Sequence, residues 1–178
     1  MLQNCNIIKT ASIFFKEPTK QHYLIEISRK TGIAHTSTKQ HLKQLIKLEL
    51  INKTKEKRGK RYFPLYKANF NDEIFKKYKT FYNIYSLEQS GLIEYLTRKL
   101  TPGCIVLFGS YQRGEDIENS DIDLFVETGE KEINLKKYEK TLNREIQIHF
   151  KKSFKLFHKG LKNNIANGII LEGFLDAF

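Results

Sequence analysis

The first 68 residues show two kinds of apolar spacing. Residues 6–15 carry apolar side chains at helical intervals, and Pro18 follows as a helix stop. Gly32 then separates two stretches whose apolar positions lie three or four apart, which predicts two helices joined by a turn. The positions of this pair that we expect to face a core are Leu24, Ile27, Thr38, Leu42 and Leu45. Two short alternating runs around Arg58-Gly59 predict a β-hairpin.

Two further helices are predicted between residue 71 and residue 100, before the first strand of the second part. Asn71 and the acids that follow it are typical of a helix start, and Ile74, Tyr78 and Phe81 fall on one face of this helix. We expect its aromatic side chains to pack between domains. Ser86 and the residues up to Gln89 have the form of a capping box, which predicts the start of a new helix that ends near residue 100.

From Cys104 onward the pattern alternates between strands and helices. The predicted elements are strands at 104–108, 121–127 and 144–150, helices at 135–142 and 153–166, and a last strand after Gly168. Together with the helical first part, this order predicts an α+β protein with a mixed sheet and flanking helices in its second part. We expect one domain at residues 1–68, a linker helix at 69–86 and a second domain at 87–178.

Charge is unevenly distributed along the chain. Residues 1–70 hold 15 Lys and Arg against 4 Asp and Glu, whereas residues 71–178 hold 16 of each, so the whole net charge of +11 lies in the first part. Such asymmetry favours a polyanionic partner for that part, with solubility as the simpler explanation. Cys5 and Cys104 are too few for a disulfide framework or a zinc site, and we expect both to be small buried apolar residues.

Two acids stand on the predicted strand at 121–127. Asp121 and Asp123 share a face because successive strand residues alternate, and two like charges on an otherwise apolar strand have no evident structural purpose. A divalent cation removes their repulsion, and Mg²⁺ typically sits between one or two carboxylates and the phosphates of a substrate. Gly109 and Ser110 end the preceding strand, at a place where a helix N-terminus attracts phosphate oxygens. The pattern therefore predicts a metal and phosphate site.

This stretch resembles the nucleotidyltransferase superfamily typified by DNA polymerase beta, and within it the minimal nucleotidyltransferases of prokaryotes. The resemblance is carried by Gly109-Ser110, by Arg113-Gly114 and by Ser120-Asp121-Ile122-Asp123-Leu124. It implies transfer of a nucleoside monophosphate from a nucleoside triphosphate (NTP) with two Mg²⁺ or Mn²⁺ ions held by Asp121 and Asp123. It also implies that Gly109, Ser110 and Arg113 bind the nucleotide.

The predicted strand at 144–150 departs from the family pattern. Members of the family carry a third metal-binding acid there, between two apolar residues, and here that place is occupied by Gln147. Its amide can contact metal or nucleotide but brings no charge, so the departure bears on turnover more than on nucleotide binding. Glu145 shares the face of Gln147, as does His149, and we expect Glu145 to supply the catalytic carboxylate.

The first domain resembles the winged helix-turn-helix domains of small prokaryotic regulators, on the strength of its helix pair and basic hairpin. The resemblance implies DNA binding through the second helix of the pair and the hairpin, or wing. The residues that it assigns to this role are His35, Thr36, Ser37, Lys39, Gln40, Lys43, Lys57, Arg58, Lys60 and Arg61. Protein contacts or dimerisation through the same elements are the alternative.

Three functions follow from these features. The leading one is a metal-dependent nucleotidyltransferase with a DNA-binding winged-helix domain and an acceptor that the sequence does not identify. The second is a DNA-binding transcriptional regulator whose nucleotidyltransferase fold senses a nucleotide or is inactive, which Gln147 favours. The third is an antitoxin that modifies a partner toxin with nucleotides. A homodimer and a protein partner stay open. With neither a long apolar run nor a signal-peptide pattern, we expect a cytoplasmic protein and no membrane partner.

Overall fold

A computed structural model describes residues 5–176 of the chain, so the predicted domain ends at Met1 and Phe178 lie outside the described residues. The chain divides into two compact units, one up to Lys79 and the other from Thr80 onward. Both units combine helices with a sheet, which confirms the predicted α+β class. Among the described residues, no helix has the length and apolar content needed to cross a membrane.

Between residues 5 and 68, the first unit contains three helices and a three-stranded antiparallel sheet. Its elements are α1 (Asn6–Lys16), β1 (Gln21–Tyr23), α2 (Leu24–Thr31), α3 (His35–Lys47), β2 (Ile51–Arg58) and β3 (Arg61–Ala68). The strands lie in the order β1-β3-β2. The predicted helices and hairpin are present, whereas β1 was not predicted because a three-residue strand is too short to show alternation.

The inner faces of α2 and α3 form the core of this unit as the spacing predicts. Gly32 ends α2 with a φ of +69°, a left-handed conformation that glycine adopts without strain. Thr38, Leu42 and Leu45 are buried on α3, and Ile27 is buried on α2. These contacts fix α3 so that its other face is exposed.

A charged cluster lies beside this core. Glu17 accepts hydrogen bonds from Lys20 at 2.8 Å and from Lys30 at 2.6 Å. Burial raises the pKa of Glu17, but the two lysine partners outweigh burial and hold that pKa at about 2. The neighbouring His22 is buried, with Nδ1 3.2 Å from a carboxylate oxygen of Glu26.

The predicted packing face of the next helix is wrong. In α4 (Glu73–Ser90), Ile74, Tyr78 and Phe81 are exposed, and the side chain of Phe81 is 72% accessible. The buried stripe instead includes Phe75, Asn83 and Leu87. Both stripes repeat at helical intervals, so apolar spacing alone did not identify the buried one.

The predicted capping box is also wrong. The hydroxyl of Ser86 donates to the carbonyl of Tyr82 at 2.8 Å, so Ser86 lies inside the helix. The helix continues to Ser90, Gly91 follows with a φ of +75°, and α5 (Leu92–Leu100) begins after it. A residue with positive φ breaks a helix more effectively than a serine that bonds back to the preceding turn.

The second unit is built on a four-stranded mixed sheet. Its elements after α5 are β4 (Cys104–Phe108), α6 (Gly109–Arg113), β5 (Ile122–Glu127), α7 (Lys136–Leu142), β6 (Ile146–Lys151), α8 (Lys159–Ala166) and β7 (Ile169–Gly173). The order is β6-β5-β4-β7, with β5 parallel to β6 and the other pairs antiparallel. The predicted basic helix from Ser153 is divided, because a short 3-10 turn at Phe154–Leu156 precedes α8.

The two faces of this sheet have separate cores. On one face Leu107, Leu124 and Val126 pack with Leu96 of α5. The other face carries an apolar cluster of Cys104, Val106, Phe108, Phe125, Phe154 and Ile165. Burial raises the pKa of the Cys104 thiol to about 12, as suits a small core residue, whereas Cys5 is exposed, contrary to prediction. Asp121 and Asp123 stand at the end of the second face.

Candidate active site

The bend between β4 and α6 makes room for one of the acids. Gly109 follows the last residue of β4 with a φ of +79° and begins the short helix α6. A Cβ at this position would overlap the carboxylate of Asp123. A side chain at this position would therefore strain the backbone and displace the carboxylate of Asp123. The first N–H groups of α6 have no partner within the helix, and Ser110 lies among them, half-buried.

Asp123 lies on strand β5, and Asp121 directly precedes the first residue of that strand, Ile122. Ile122 between them is fully buried on the opposite face, whereas both aspartates are half-buried. Asp123 is the register partner of Phe108 in β4 and of Gln147 in β6. Asp123 thus approaches the Gly109 bend, and Asp121 contacts Gln147, the β6 residue at the place where the sequence analysis expects a third acid.

Gln147 and His149 complete this part of the site. The amide nitrogen of Gln147 donates a 2.5 Å hydrogen bond to a carboxylate oxygen of Asp121. The Nε2 atom of His149 lies 3.7 Å from a carboxylate oxygen of Asp123, and its ring packs against Phe108 with centroids 5.2 Å apart. Sequence alternation placed both residues on one face, but only the parallel register of β6 and β5 brings them to the aspartates.

Glu145 lies on the wall of a cavity next to this group. The cavity has a volume of about 530 Å³ and is lined by Glu118, Asn119, Ser120, Asp121, Glu139, Asn143, Arg144 and Glu145. Asp121 is therefore a member of the aspartate pair and also lines the cavity. Within residues 5–176 no three His, Cys, Asp or Glu side chains are grouped closely enough to hold a metal ion, so Glu145 does not join the two aspartates as a third ligand.

Arg113 is exposed on α6, the short helix that Gly109 begins. Its Nε donates to a carboxylate oxygen of Glu115 at 2.7 Å, and both side chains are exposed. It ends α6, and Gly114 follows with a φ of +68°. The Arg-Gly sequence thus turns the chain out of α6, while the guanidinium stays accessible.

A buried polar network that the sequence analysis missed supports the loop between α6 and β5. Asp116, 1% exposed, accepts a 2.8 Å hydrogen bond from Asn83 and lies 3.4 Å from the guanidinium of Arg144. Asn83 also donates to the carbonyl of Tyr111, and Arg144 donates to the carbonyl of Glu118. A buried ion pair with these extra bonds fixes the path of the loop that leads to Asp121.

The first unit exposes most of the residues predicted to bind DNA. On α3, Ser37 is half-buried, and the exposed members are His35, Thr36, Lys39, Gln40 and Lys43. On the hairpin, Lys57, Lys60 and Arg61 are exposed. Arg58 is exposed but has partners within the unit, which the sequence analysis missed.

The partners of Arg58 are Glu56 and Tyr23. Its Nε donates to Glu56 at 2.8 Å, and a terminal nitrogen donates to the hydroxyl of Tyr23 at 2.6 Å. The guanidinium lies 4.8 Å from the centroid of the Tyr23 ring. The hydroxyl of Tyr23 also donates to Glu56, and this bond raises the pKa of Tyr23. Part of the charge of Arg58 is therefore offset by Glu56.

A family model matches part of the second unit. Residues 90–171 match the family model of the nucleotidyltransferase domain. No curated protein matches the chain. A solved structure described as a possible transcriptional regulator from Methanosarcina mazei Go1 shares 16% identity with a TM-score of 0.36, over 55% of this chain and 85% of that one. The mixed sheet with the aspartate pair thus lies in the part of the chain that is similar to nucleotidyltransferases.

Proposed function

We propose that the second unit transfers a nucleoside monophosphate from an NTP to an acceptor, and that the first unit binds DNA. The observation that carries the enzymatic part is the position of Asp121 and Asp123. Asp123 approaches the bend so closely that a Cβ on Gly109 would overlap its carboxylate, and Asp121 lies two residues away, bonded to Gln147. Carboxylates this close to a strand-to-helix turn that can bind phosphate favour a role in phosphoryl transfer over a structural role.

The donor set fits Mg²⁺ or Mn²⁺. Asp121 and Asp123 offer hard carboxylate oxygens, and Mg²⁺ commonly uses only one or two carboxylates while phosphates and water complete its shell. The lack of a third acid at Gln147 is compatible with this set. When bound, such ions stabilise the negative charge that develops on the attacking and leaving oxygens.

The residues around the pair have distinct roles in this proposal. Gly109 and Ser110 bind the phosphates through N–H groups and a hydroxyl at the start of α6. Besides Asp121, three carboxylates and one cation, Arg144, line the neighbouring cavity, and this excess of negative charge disfavours a triphosphate there. Arg113, exposed on α6, neutralises phosphate charge by exchanging its partner Glu115. Gln147 orients the carboxylate of Asp121.

The acceptor enters through the cavity. Glu145 and Asp121 both line this cavity. An acceptor held there therefore faces Asp121 of the proposed catalytic pair and also the separate carboxylate of Glu145. We assign Glu145 to accepting the proton of the attacking hydroxyl or amine.

The nucleic-acid role of the first unit is supported by its charge and exposure. Lys39 and Lys43 are exposed on α3, and the wing adds further cations, within a segment that holds the whole net charge. Phosphate contacts of this kind supply most of the sequence-independent affinity of DNA-binding proteins.

The test is incubation with α-labelled NTPs, Mg²⁺ and candidate acceptors that include DNA, RNA, protein and amino sugars. Wild type should label one acceptor, and Asp121→Asn should abolish labelling because it removes a carboxylate from the pair. Glu130→Gln is the matched control, since Glu130 is an exposed acid outside the site. Equal labelling by wild type and Asp121→Asn would remove the proposal.

A second function is favoured by Gln147, which occupies the third-acid position and bonds to Asp121. Here the second unit binds a nucleotide without turning it over, and the nucleotide changes DNA binding by the first unit. Selection of a DNA site from a random library, followed by binding assays with and without NTP, tests this function. A nucleotide-dependent change in DNA affinity with no labelled product supports the regulator and contradicts the transferase.

A further inference from the structure

The two faces of the wing differ in charge. In the register of β2 and β3, Lys57 pairs with Tyr62, and Lys55 pairs with Pro64. Paired residues point to the same side, so Lys53, Lys55, Lys57, Tyr62 and Pro64 share one face, which we call the lysine face. At its base the same face is buried through Ile51, Tyr66 and Ala68. The outer half projects beyond this core, and its three lysines are exposed.

The acid of the hairpin lies on the other side. Glu56 is the single Asp or Glu in residues 51–68, and its register partner is Phe63. It pairs with Arg58, which shares its face. The positive charge on the lysine face is therefore not offset from within the hairpin, whereas that of the opposite face is partly neutralised.

An aromatic ring, Tyr62, lies opposite the outermost of these lysines, Lys57. The side chain of Tyr62 is 64% exposed, although a ring of this size normally gains from burial. An apolar protein partner would have to remove water from three lysines to cover it, which is unfavourable. A nucleobase can cover the ring while its phosphates pair with the lysines, so the chemistry of this face matches nucleic acid.

The exposed ring of Tyr62 indicates that this nucleic acid is single-stranded. In a duplex the bases are stacked on each other, so an exposed ring gains most from an unpaired base. Lys53, Lys55 and Lys57 recur every second residue, about 6.6 Å apart along the strand, and can follow the phosphates of an extended single strand.

We propose that the lysine face binds single-stranded nucleic acid, with phosphates on its lysines and one base stacked on Tyr62. This site differs from the surface of α3 assigned above to DNA, and it shares only Lys57 with the wing residues assigned to DNA. It deepens the proposed nucleic-acid role of the first unit but is independent of any transferase activity.

The experiment uses the full chain and fluorescence anisotropy with a 15-nucleotide single-stranded DNA, an RNA of the same sequence and the corresponding duplex. Tyr62→Leu removes the ring, and Tyr62→Phe is the matched control that keeps it. We expect Tyr62→Leu to weaken single-strand binding about fivefold or more, and duplex binding less than twofold, while Tyr62→Phe matches wild type. Because the side chain is exposed, thermal melts of the three proteins should coincide.

Comparison of the DNA and RNA values identifies which single strand is preferred. The double variant Lys39→Gln plus Lys43→Gln separates this site from α3. It should weaken duplex binding and leave the effect of Tyr62→Leu on single strands unchanged. The proposal is overturned if wild type does not bind single strands, if Tyr62→Leu binds them as tightly as wild type, or if it weakens duplex binding equally. Tighter Tyr62-dependent binding to vesicles of anionic lipid than to either single strand would also overturn it.

Discussion

Replacing Gly109 with alanine tests the close approach between the bend and Asp123. Gly109 has a φ of +79°, and an alanine in this left-handed conformation lowers the free energy of unfolding by roughly 1–2 kcal/mol. The added Cβ would lie 3.2 Å from Cγ and 3.4 Å from Cβ of Asp123, with its carboxylate oxygen closer still. Asp123 must therefore leave its rotamer, which adds on the order of 1 kcal/mol.

Gly91 provides a matched control in the same unit. Its φ of +75° is nearly the same, and a Cβ built there meets no atom within 4 Å. Gly91→Ala should therefore show the backbone cost alone, roughly 1–2 kcal/mol of unfolding free energy. Gly109→Ala should lose about 1 kcal/mol more, because it also displaces Asp123.

Urea unfolding measures the stability of both variants, and titration with NTP and Mg²⁺ measures binding. If Asp123 belongs to the nucleotide site, Gly109→Ala should weaken binding about 10–100-fold, as is usual when a metal ligand loses its support. Gly91→Ala should bind like wild type. Equal losses in stability for the two variants, or unchanged binding by Gly109→Ala, would refute this reasoning.

Three further predictions concern charged groups. Asp116→Ala should lower the unfolding free energy of the second unit by about 3–5 kcal/mol, because the buried guanidinium of Arg144 loses the carboxylate of Asp116. Urea unfolding measures this loss, and Asp116→Asn should lose less than Asp116→Ala. Glu56→Gln should tighten nucleic-acid binding roughly two- to tenfold at low salt and steepen its salt dependence, since Arg58 loses its acidic partner. Fluorescence anisotropy at several salt concentrations measures this, and equal slopes of log affinity against log salt for the variant and wild type would contradict it. Glu17, whose pKa is about 2 in the folded protein against an ordinary 4.5, stabilises the first unit above pH 4.5 and loses this effect as the pH falls toward 2. The urea midpoint of wild type should therefore fall more steeply over that interval than that of Glu17→Gln, and parallel curves would exclude the effect.

The parts of the structure that could be predicted are those encoded by neighbouring residues. The inner face of α3 follows from the spacing of Thr38, Leu42 and Leu45. The shared face of Asp121 and Asp123 follows from strand alternation, because a strand can turn its residues in only two directions. The alternation of strands and helices along the chain after Cys104 and the bend at Gly109 likewise follow from local signals, whereas the order of the strands within the sheet does not.

The parts that could not be predicted depend on residues far apart in sequence. Asp116 and Arg144 are separated by 28 positions, and nothing near either one indicates a buried pair. The buried stripe of α4 depends on what packs against it, so Ile74 and Phe75 are equally good candidates in the sequence although only Phe75 is buried. The bond from Gln147 to Asp121 requires the parallel register of two strands, which alternation alone does not determine.

The central claim is that Asp121 and Asp123 together hold a divalent ion against a triphosphate bound at Gly109. A crystal of the full chain grown with Mn²⁺ and a non-hydrolysable NTP, with anomalous diffraction recorded for manganese, tests it directly. The account predicts an anomalous peak within bonding distance of carboxylate oxygens from both aspartates, with the phosphates at the Gly109 bend. A nucleotide bound elsewhere, or bound at the bend with no manganese at either aspartate, would contradict it.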